Sequence, residues 1–304
     1  MIKWEMDAIK AALDEIYKQT LSLDNRGDVA NYIPFLGEVD PKLFCACISA
    51  DLGNNCIGDM DAKFSIQSVS KVISLAMALE MYGADMVFEH TGMENSQHAF
   101  NDIKSIDQIP SNPFVNAGAI TITGLLYDRY GENTAKEVIR FMSNLSERND
   151  IYIDEEVFNS EMETCSMNRT LVYYLKHLGL IKGNPEKVLE EYIKSCSITT
   201  GCETVACIAR ILSKGGGGLK KSTATSVVTQ MAICGMYSKS GEFLMKVGIP
   251  AKSGVSGVIM AVVPGGLGVA VYSPRLDEFG NSYRGSKFLE LLSEKLELNI
   301  FKRG

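Results

Sequence analysis

Phe64-Ser65-Ile66-Gln67-Ser68-Val69-Ser70-Lys71 is the stretch from which the rest of the chain is read. It holds the chain's only Ser-x-x-Lys, Ser68 to Lys71, and runs into Val72–Met81, an apolar segment with the composition of a buried helix. Residues three apart share a helix face, so a neutral Lys71 amine is within reach of the Ser68 proton. A serine hydroxyl is a weak nucleophile and needs such a base. A lysine ordinarily titrates near 10.4, and bringing it to about 7 costs about 4 to 5 kcal/mol. Burial and a second positive charge both act in that direction. The apolar helix offers the burial, and Lys252 of Lys252-Ser253-Gly254 offers the charge. Ser68 at the head of a helix also gains free backbone N–H groups that can stabilise an oxyanion. The plainer alternative, a surface serine and lysine at a helix start, stays open on this motif alone.

Composition narrows the field. The chain has 304 residues, 46% hydrophobic and 22% charged, with a net charge of −7. That is ordinary for a globular protein of one large domain. No Lys/Arg run or basic patch points to nucleic acid. No stretch approaches the roughly 18 apolar residues a membrane span needs. Acidic residues at Glu5 and Asp7 interrupt the apolar run a signal peptide requires, so a cytoplasmic protein is expected. The eight cysteines form no Cys-x-x-Cys and read as reduced core residues. The three histidines, His90, His98 and His177, lie near no cysteine pair, so no metal or other cofactor is expected.

Periodicity sets the organisation. Ile2, Met6, Ile9, Leu13 and Ile16 recur at helical spacing, a face that docks on the core or meets another subunit. Residues 43–50 read as a buried strand, and Asp51–Asn55 as a turn. From about 68 to 212 the pattern is helical, with helices over Ala117–Tyr130, Thr134–Leu145, Arg169–Leu180 and Val188–Ser195. Strands are expected at Phe243–Gly248, Ala251–Gly257, Val258–Val263 and Leu267–Ser273, with a hairpin turn at Pro264-Gly265-Gly266 and a closing helix over 285–297. The fold class is therefore α+β: an antiparallel sheet from the two ends of the chain, with a helical lobe beside it and a cleft between. The lobes divide at about 1–67 with 213–304, and 68–212, within a single catalytic domain. Gly215–Gly218 before Lys220-Lys221-Ser222 lacks the spacing of a phosphate loop and reads as a flexible connection.

Ser-x-x-Lys followed by Lys-Ser-Gly resembles the β-lactamase and penicillin-binding-protein superfamily. A narrower resemblance covers about residues 25 to 290. Gln67-Ser68-Val69-Ser70-Lys71 is similar to the nucleophile motif of the serine-dependent glutaminases. In the same order as in that family come Ala30-Asn31-Tyr32-Ile33-Pro34, Asn112-Pro113-Phe114-Val115-Asn116-Ala117-Gly118-Ala119-Ile120, Cys234-Gly235-Met236-Tyr237 and Pro250–Gly257. The resemblance implies a β-lactamase-like fold and hydrolysis of L-glutamine to L-glutamate and ammonia through a glutamyl ester. It implies Ser68 as nucleophile, Lys71 as base, Tyr32 beside the nucleophile, and Tyr237 in proton transfer or substrate binding. It implies that Val255 donates its backbone N–H to the oxyanion alongside Ser68. For the substrate it points to Asn116, to Glu161 and Asn168 in Ser160–Arg169, to Tyr192 ahead of Cys196-Ser197-Ile198, and to Gln67 beside the amide. The chemistry suits an amino acid: Glu161 can meet an ammonium, while Asn116, Asn168 and Tyr192 can donate to a carboxylate. Glu163 is a rival acid, and Asn116 could simply cap the helix that follows. A homodimer or homotetramer is the family's habit.

Some features depart from the wider superfamily. The Ser-Asp-Asn box of β-lactamases has no clean counterpart, since Ser166-Met167-Asn168 matches only loosely. The second proton-transfer group therefore stays open between Tyr32 and Tyr237. No ankyrin or other regulatory repeat is recognisable, so the chain reads as a bare catalytic unit. Two other functions remain to be separated: a penicillin-recognising hydrolase, and a glutamine sensor that binds without turnover.

Overall fold

The computed structural model describes residues 5–302. Helix α1 (Met6–Leu21) leads into strands β1 (Cys45–Ala50), β2 (Gly53–Gly58) and β3 (Phe64–Ser65). The helical middle begins with α2 (Ser70–Tyr82), α3 (Ala84–His90), α4 (Asn116–Tyr130) and α5 (Thr134–Ser146). It continues through β4 (Tyr152–Ile153), α6 (Glu155–Thr164), α7 (Ser166–His177), α8 (Pro185–Cys196) and β5 (Ile198–Thr200) to α9 (Cys202–Leu212) and α10 (Lys221–Cys234). Helix α11 (Ser240–Lys246), strands β6 (Ala251–Ser253), β7 (Val258–Val263) and β8 (Leu267–Tyr272), and α12 (Tyr283–Lys295) close the chain.

The main sheet has the order β2-β1-β8-β7-β6 and is antiparallel throughout. It is the α+β arrangement expected, with strands from both ends of the chain. Every residue of β1, β7 and β8 is buried. Cys45 and Cys47 join the core shared with α9, while Ala46 and Ile48 join the core shared with α1 and α12. A strand covered on both faces has no polar side, hence its unbroken apolar sequence. Helix α9 lies so close to β8 that a Cβ on Gly268 would stand 2.1 Å from the Ala206 carbonyl oxygen. A second, three-stranded sheet, β3-β5-β4, joins the entry to α2 with the end of α8.

Most expected helices match within a turn, and α1 docks on the core through Ile9, Leu13 and Ile16. Ile2 lies outside the described residues. Four expectations fail. Asp51–Asn55 is a turn only at its start, because Gly53 opens the edge strand β2, paired with β1 through Ser49–Asn54 and Ile48–Asn55. Phe243–Gly248 is not a strand: α11 covers most of it, braced by Lys239–Glu242 and Lys246–Glu242 pairs at 2.8 and 2.7 Å. A short apolar run does not reveal its own period, and these pairs at helical spacing tip it. Ala251–Gly257 is strand only to Ser253, after which Gly257 N–H bonds back to Gly254 O at 2.9 Å. The cysteines are not all reduced, because Cys47 and Cys56 face each other across β1 and β2 and are joined as a disulfide. The other six are free and buried.

Candidate active site

The motif that opened the sequence sits where the two sheets and the helical middle meet. Ile66 N–H bonds Ile198 O at 2.7 Å, tying the end of β3 to β5. Gln67 then takes φ 46°, in the left-handed region. That reversal starts a 3-10 turn, Gln67–Val69, which runs directly into α2. Ser68 is therefore in the turn, at the head of the helix. Left-handed backbone costs a residue other than glycine of order 1 kcal/mol or more and persists only where its surroundings enforce it. Tyr237, φ 52°, shares the condition. Two of the four such non-glycine residues among those described thus belong to one site.

Lys71 lies on the first turn of α2 and is 2% exposed. Its Nζ donates to Asn116 Oδ1 at 2.6 Å and to Phe114 O at 3.1 Å. Neither partner is Ser68, whose hydroxyl lies near enough to the Tyr237 phenol to pull its titration down against the larger upward push of burial. Asn116 Nδ2 donates on to Asn168 Oδ1 at 2.8 Å. Asn116 is thus committed to the site and does not cap α4; the cap reading fails. Asn112 holds that turn instead, accepting from Phe114 and Val115 N–H at 2.9 and 3.0 Å. Gln67 Nε2 donates to Glu161 Oε2 and to Ser65 Oγ, both at 3.3 Å. Glu161 is buried and Glu163 exposed, which decides between the two acids. Tyr192, on α8, is buried beside Cys196 and feels the Glu161 charge.

Gly254 and Val255 close the other side. A Cβ on Gly254 would come within 2.7 Å of Ile66 O, so the segment after β6 rests directly against the nucleophile turn. The backbone N–H groups of Ser68 and Val255 donate to no backbone carbonyl among the described residues. Tyr32 differs from the others in being 56% exposed. Its phenol is nonetheless held above the usual range by burial and by nearby Tyr237 and Glu161.

Burial dominates the electrostatics. It drives the Lys71 amine from 10.5 down to about 8, against the pull of Cys196 and Glu161. It drives the Glu161 carboxyl from 4.5 up to about 7, against its Gln67 hydrogen bond and the Lys71 charge. Cys196 and Cys234 are each pushed up to about 12 and stay neutral thiols. Lys252 is fully buried, and burial together with Lys71 holds its amine well below the usual range. The expectation that Lys252 lends a second charge is thereby reversed. Of two buried amines, Lys71 has two acceptors and Lys252 one, Ser253 O at 2.7 Å.

The structure thus brings together Ser68, Lys71, Tyr237, Val255, Gln67, Asn116, Glu161, Asn168 and Tyr192, with Tyr32 at the edge. Sequence reasoning missed Ser65, which holds Gln67, and Phe100. The Phe100 ring lies 4.9 Å from that of Tyr237 and 6.0 Å from Lys71 Nζ. Phe100 belongs to a loop without periodicity, tied in by Asn116 N–H to Phe100 O at 2.7 Å, and no sequence signal marks it. Chemically, the site offers a hydroxyl at a helix head, an amine and a phenol near it, free N–H groups, and a carboxylate flanked by amides. That is equipment for attack on an acyl group carried by an amino acid.

The described residues match a family model for glutaminase over residues 27–301. A glutaminase of Clostridium tetani is 39% identical over 305 residues, covering 96% of this chain and all of the relative. One of Alkaliphilus oremlandii is 40% identical, covering 95% and 99%. Among solved structures, the probable glutaminase YbaS superposes with a TM-score of 0.94 at 32% identity, covering 99% of this chain and 100% of the other. A Bacillus subtilis glutaminase, YbgJ, in covalent complex with 5-oxo-L-norleucine formed from 6-diazo-5-oxo-L-norleucine, superposes with a TM-score of 0.82 at 34% identity, covering 96% and 98%.

Proposed function

The chain belongs to the glutaminase family, and on that footing we propose that it hydrolyses L-glutamine to L-glutamate and ammonia through a glutamyl ester on Ser68. The observation that carries this reading is the pair of hydrogen-bonded lines, Lys71–Asn116–Asn168 and Gln67–Glu161, that flank Ser68. The first leaves amide N–H groups for a carboxylate, and the second presents a buried carboxylate to an ammonium. The covalent adduct of the Bacillus subtilis relative supports a nucleophilic route.

In this mechanism glutamine lies with its ammonium on Glu161 and its carboxylate toward Asn116, Asn168 and Tyr192, and Gln67 lies next to its amide. Ser68 Oγ attacks the amide carbon and its proton passes to neutral Lys71 one helix turn on. The oxyanion is received by the N–H groups of Ser68 and Val255. As the C–N bond breaks, the departing nitrogen takes the Tyr237 proton and leaves as ammonia. The Lys71 proton then returns to the phenolate. Water repeats the attack on the ester, with the same groups exchanging protons in reverse order. The burial of Tyr237 and the closeness of its phenol to Ser68 favour it over the exposed Tyr32 as the second proton-transfer group. We place the enzyme in the cytoplasm, as a homodimer or homotetramer without nucleic-acid or membrane partners. The net charge of −7 speaks against nucleic acid as a partner, and among the described residues no helix is long and apolar enough to cross a membrane.

The test is ammonia release from L-glutamine by the wild type and Ser68→Ala, with L-glutamate affinity measured on both. Release by the wild type alone, with glutamate bound by both, is expected. Equal release by Ser68→Ala would end the ester mechanism.

A further inference from the structure

Lys252 is a buried amine that the mechanism above does not use. It stands on β6, 0% exposed, and its Nζ donates to the carbonyl of Ser253 at 2.7 Å. Tyr237 OH donates to the same carbonyl at 3.2 Å. The Lys252 Nζ also lies over the Tyr237 ring, 4.5 Å from its centroid, and 5.9 Å from that of Phe114. The groups whose charge reaches it are Lys71 from α2, Cys234 from α10 and Cys196 from α8; no carboxylate is among them. An amine so fully taken out of water, with a single acceptor, is costly unless it serves a purpose.

The shared carbonyl suggests the purpose. Ser253 is itself 0% exposed, so its carbonyl has no water to turn to. When the departing nitrogen takes the Tyr237 proton, that phenol stops donating to Ser253 O. A buried acceptor left without a donor opposes the step. With Lys252 already on the carbonyl, none is left unpaired.

We propose that Lys252 is a positioning residue for proton transfer by Tyr237, its amine keeping the Ser253 carbonyl hydrogen-bonded while the phenol lets go of it. The inference rests on the reading of Tyr237 as the proton donor. Its bookkeeping is that of the step already described: the C–N bond breaks, nitrogen gains the phenol proton, and Lys252 gains and loses nothing.

A double-mutant cycle tests it: Lys252→Met, Tyr237→Phe and the pair, with kcat and KM for L-glutamine and L-glutamate affinity by calorimetry. Lys252→Met should lower kcat about 10- to 100-fold, the size expected for an unpaired buried carbonyl, with KM and glutamate affinity unchanged. In the Tyr237→Phe background it should cost nothing further, because the proton it serves is gone. Lys252→Gln keeps an N–H donor and should recover part of kcat; it also stands in should Lys252→Met fail to fold. A kcat at wild-type level in Lys252→Met, a loss confined to KM, or a deficit that persists in full without the Tyr237 hydroxyl would each overturn the proposal. If Tyr237→Phe turns over normally, the reading of Tyr237 fails first; if it is slow while Lys252→Met is not, only the role of Lys252 fails.

Discussion

Replacing Glu161 with glutamine should change the shape of the pH profile as well as its height. On the proposed mechanism, two groups must shed protons before the free enzyme is competent. Glu161, at about 7, must be a carboxylate to hold the substrate ammonium, and Lys71, at about 8, must be an amine to take the Ser68 proton. The logarithm of kcat/KM should then climb with a slope of about two below pH 7, about one from 7 to 8, and level off above. Each group feels the other's charge, so the two midpoints belong to the pair. Glu161→Gln removes one of the two protons, leaving a slope of about one. The carboxylate also helps Lys71 keep its proton, so without it the remaining midpoint should fall below 8. At the plateau, losing one partner of a buried charge pair costs about 2 to 4 kcal/mol, or about 30- to 1,000-fold in kcat/KM. Initial rates of ammonia release, with glutamine well below KM and pH stepped between about 5.5 and 9.5, resolve all three effects. A slope of two that survives Glu161→Gln, or a midpoint that moves upward, would refute the assignment of these groups.

The same substitution should strengthen the fold in alkaline buffer. The Glu161 carboxyl titrates near 4.5 unfolded and about 7 folded, so as pH rises between them the unfolded chain sheds a proton that the folded one holds. Stability is lost across that window, up to about 3 kcal/mol, and none is lost below it. Glu161→Gln should therefore melt above the wild type at pH 8 and together with it near pH 4.5, a comparison of Tm at the two pH values. Asn116→Asp places a carboxylate 2.6 Å from Lys71 Nζ, so the acid limb should move to higher pH by about one to two pH units. An unmoved limb there would show that Lys71 is not the titrating base. Gly254→Ala drives a Cβ to 2.7 Å from Ile66 O and must displace Val255. Its kcat should drop about 100-fold or more, the scale of losing an oxyanion donor, with glutamate affinity retained; equal losses in both would argue for general disruption instead.

Certain things were legible because they are local. Ser68 and Lys71 are three residues apart, so helix geometry alone puts them on one face. The unbroken apolar residues of β1, β7 and β8 reveal burial on both faces, and the Pro264-Gly265-Gly266 turn reveals the last hairpin. Strand β2 was not legible: Gly53-Asn54-Asn55 has the composition of a turn, and this edge strand is too exposed to carry a pattern. Helix α11 was misread because its seven residues are too few to show a period. The proposed substrate residues were marked by family motifs, yet nothing in their own spacing joins Gln67 to Glu161 or Lys71 to Asn116, which lie 94 and 45 residues apart.

By itself, then, the sequence determined the α+β class and the family and singled out Ser68 and Lys71 as the proposed nucleophile and base, since each is written in neighbouring residues or short motifs. Tertiary structure alone decided which of two acids enters the site and whether Asn116 caps a helix or holds an amine. Those outcomes depend on desolvation and on partners brought in from distant segments, and both exist only once the chain has packed.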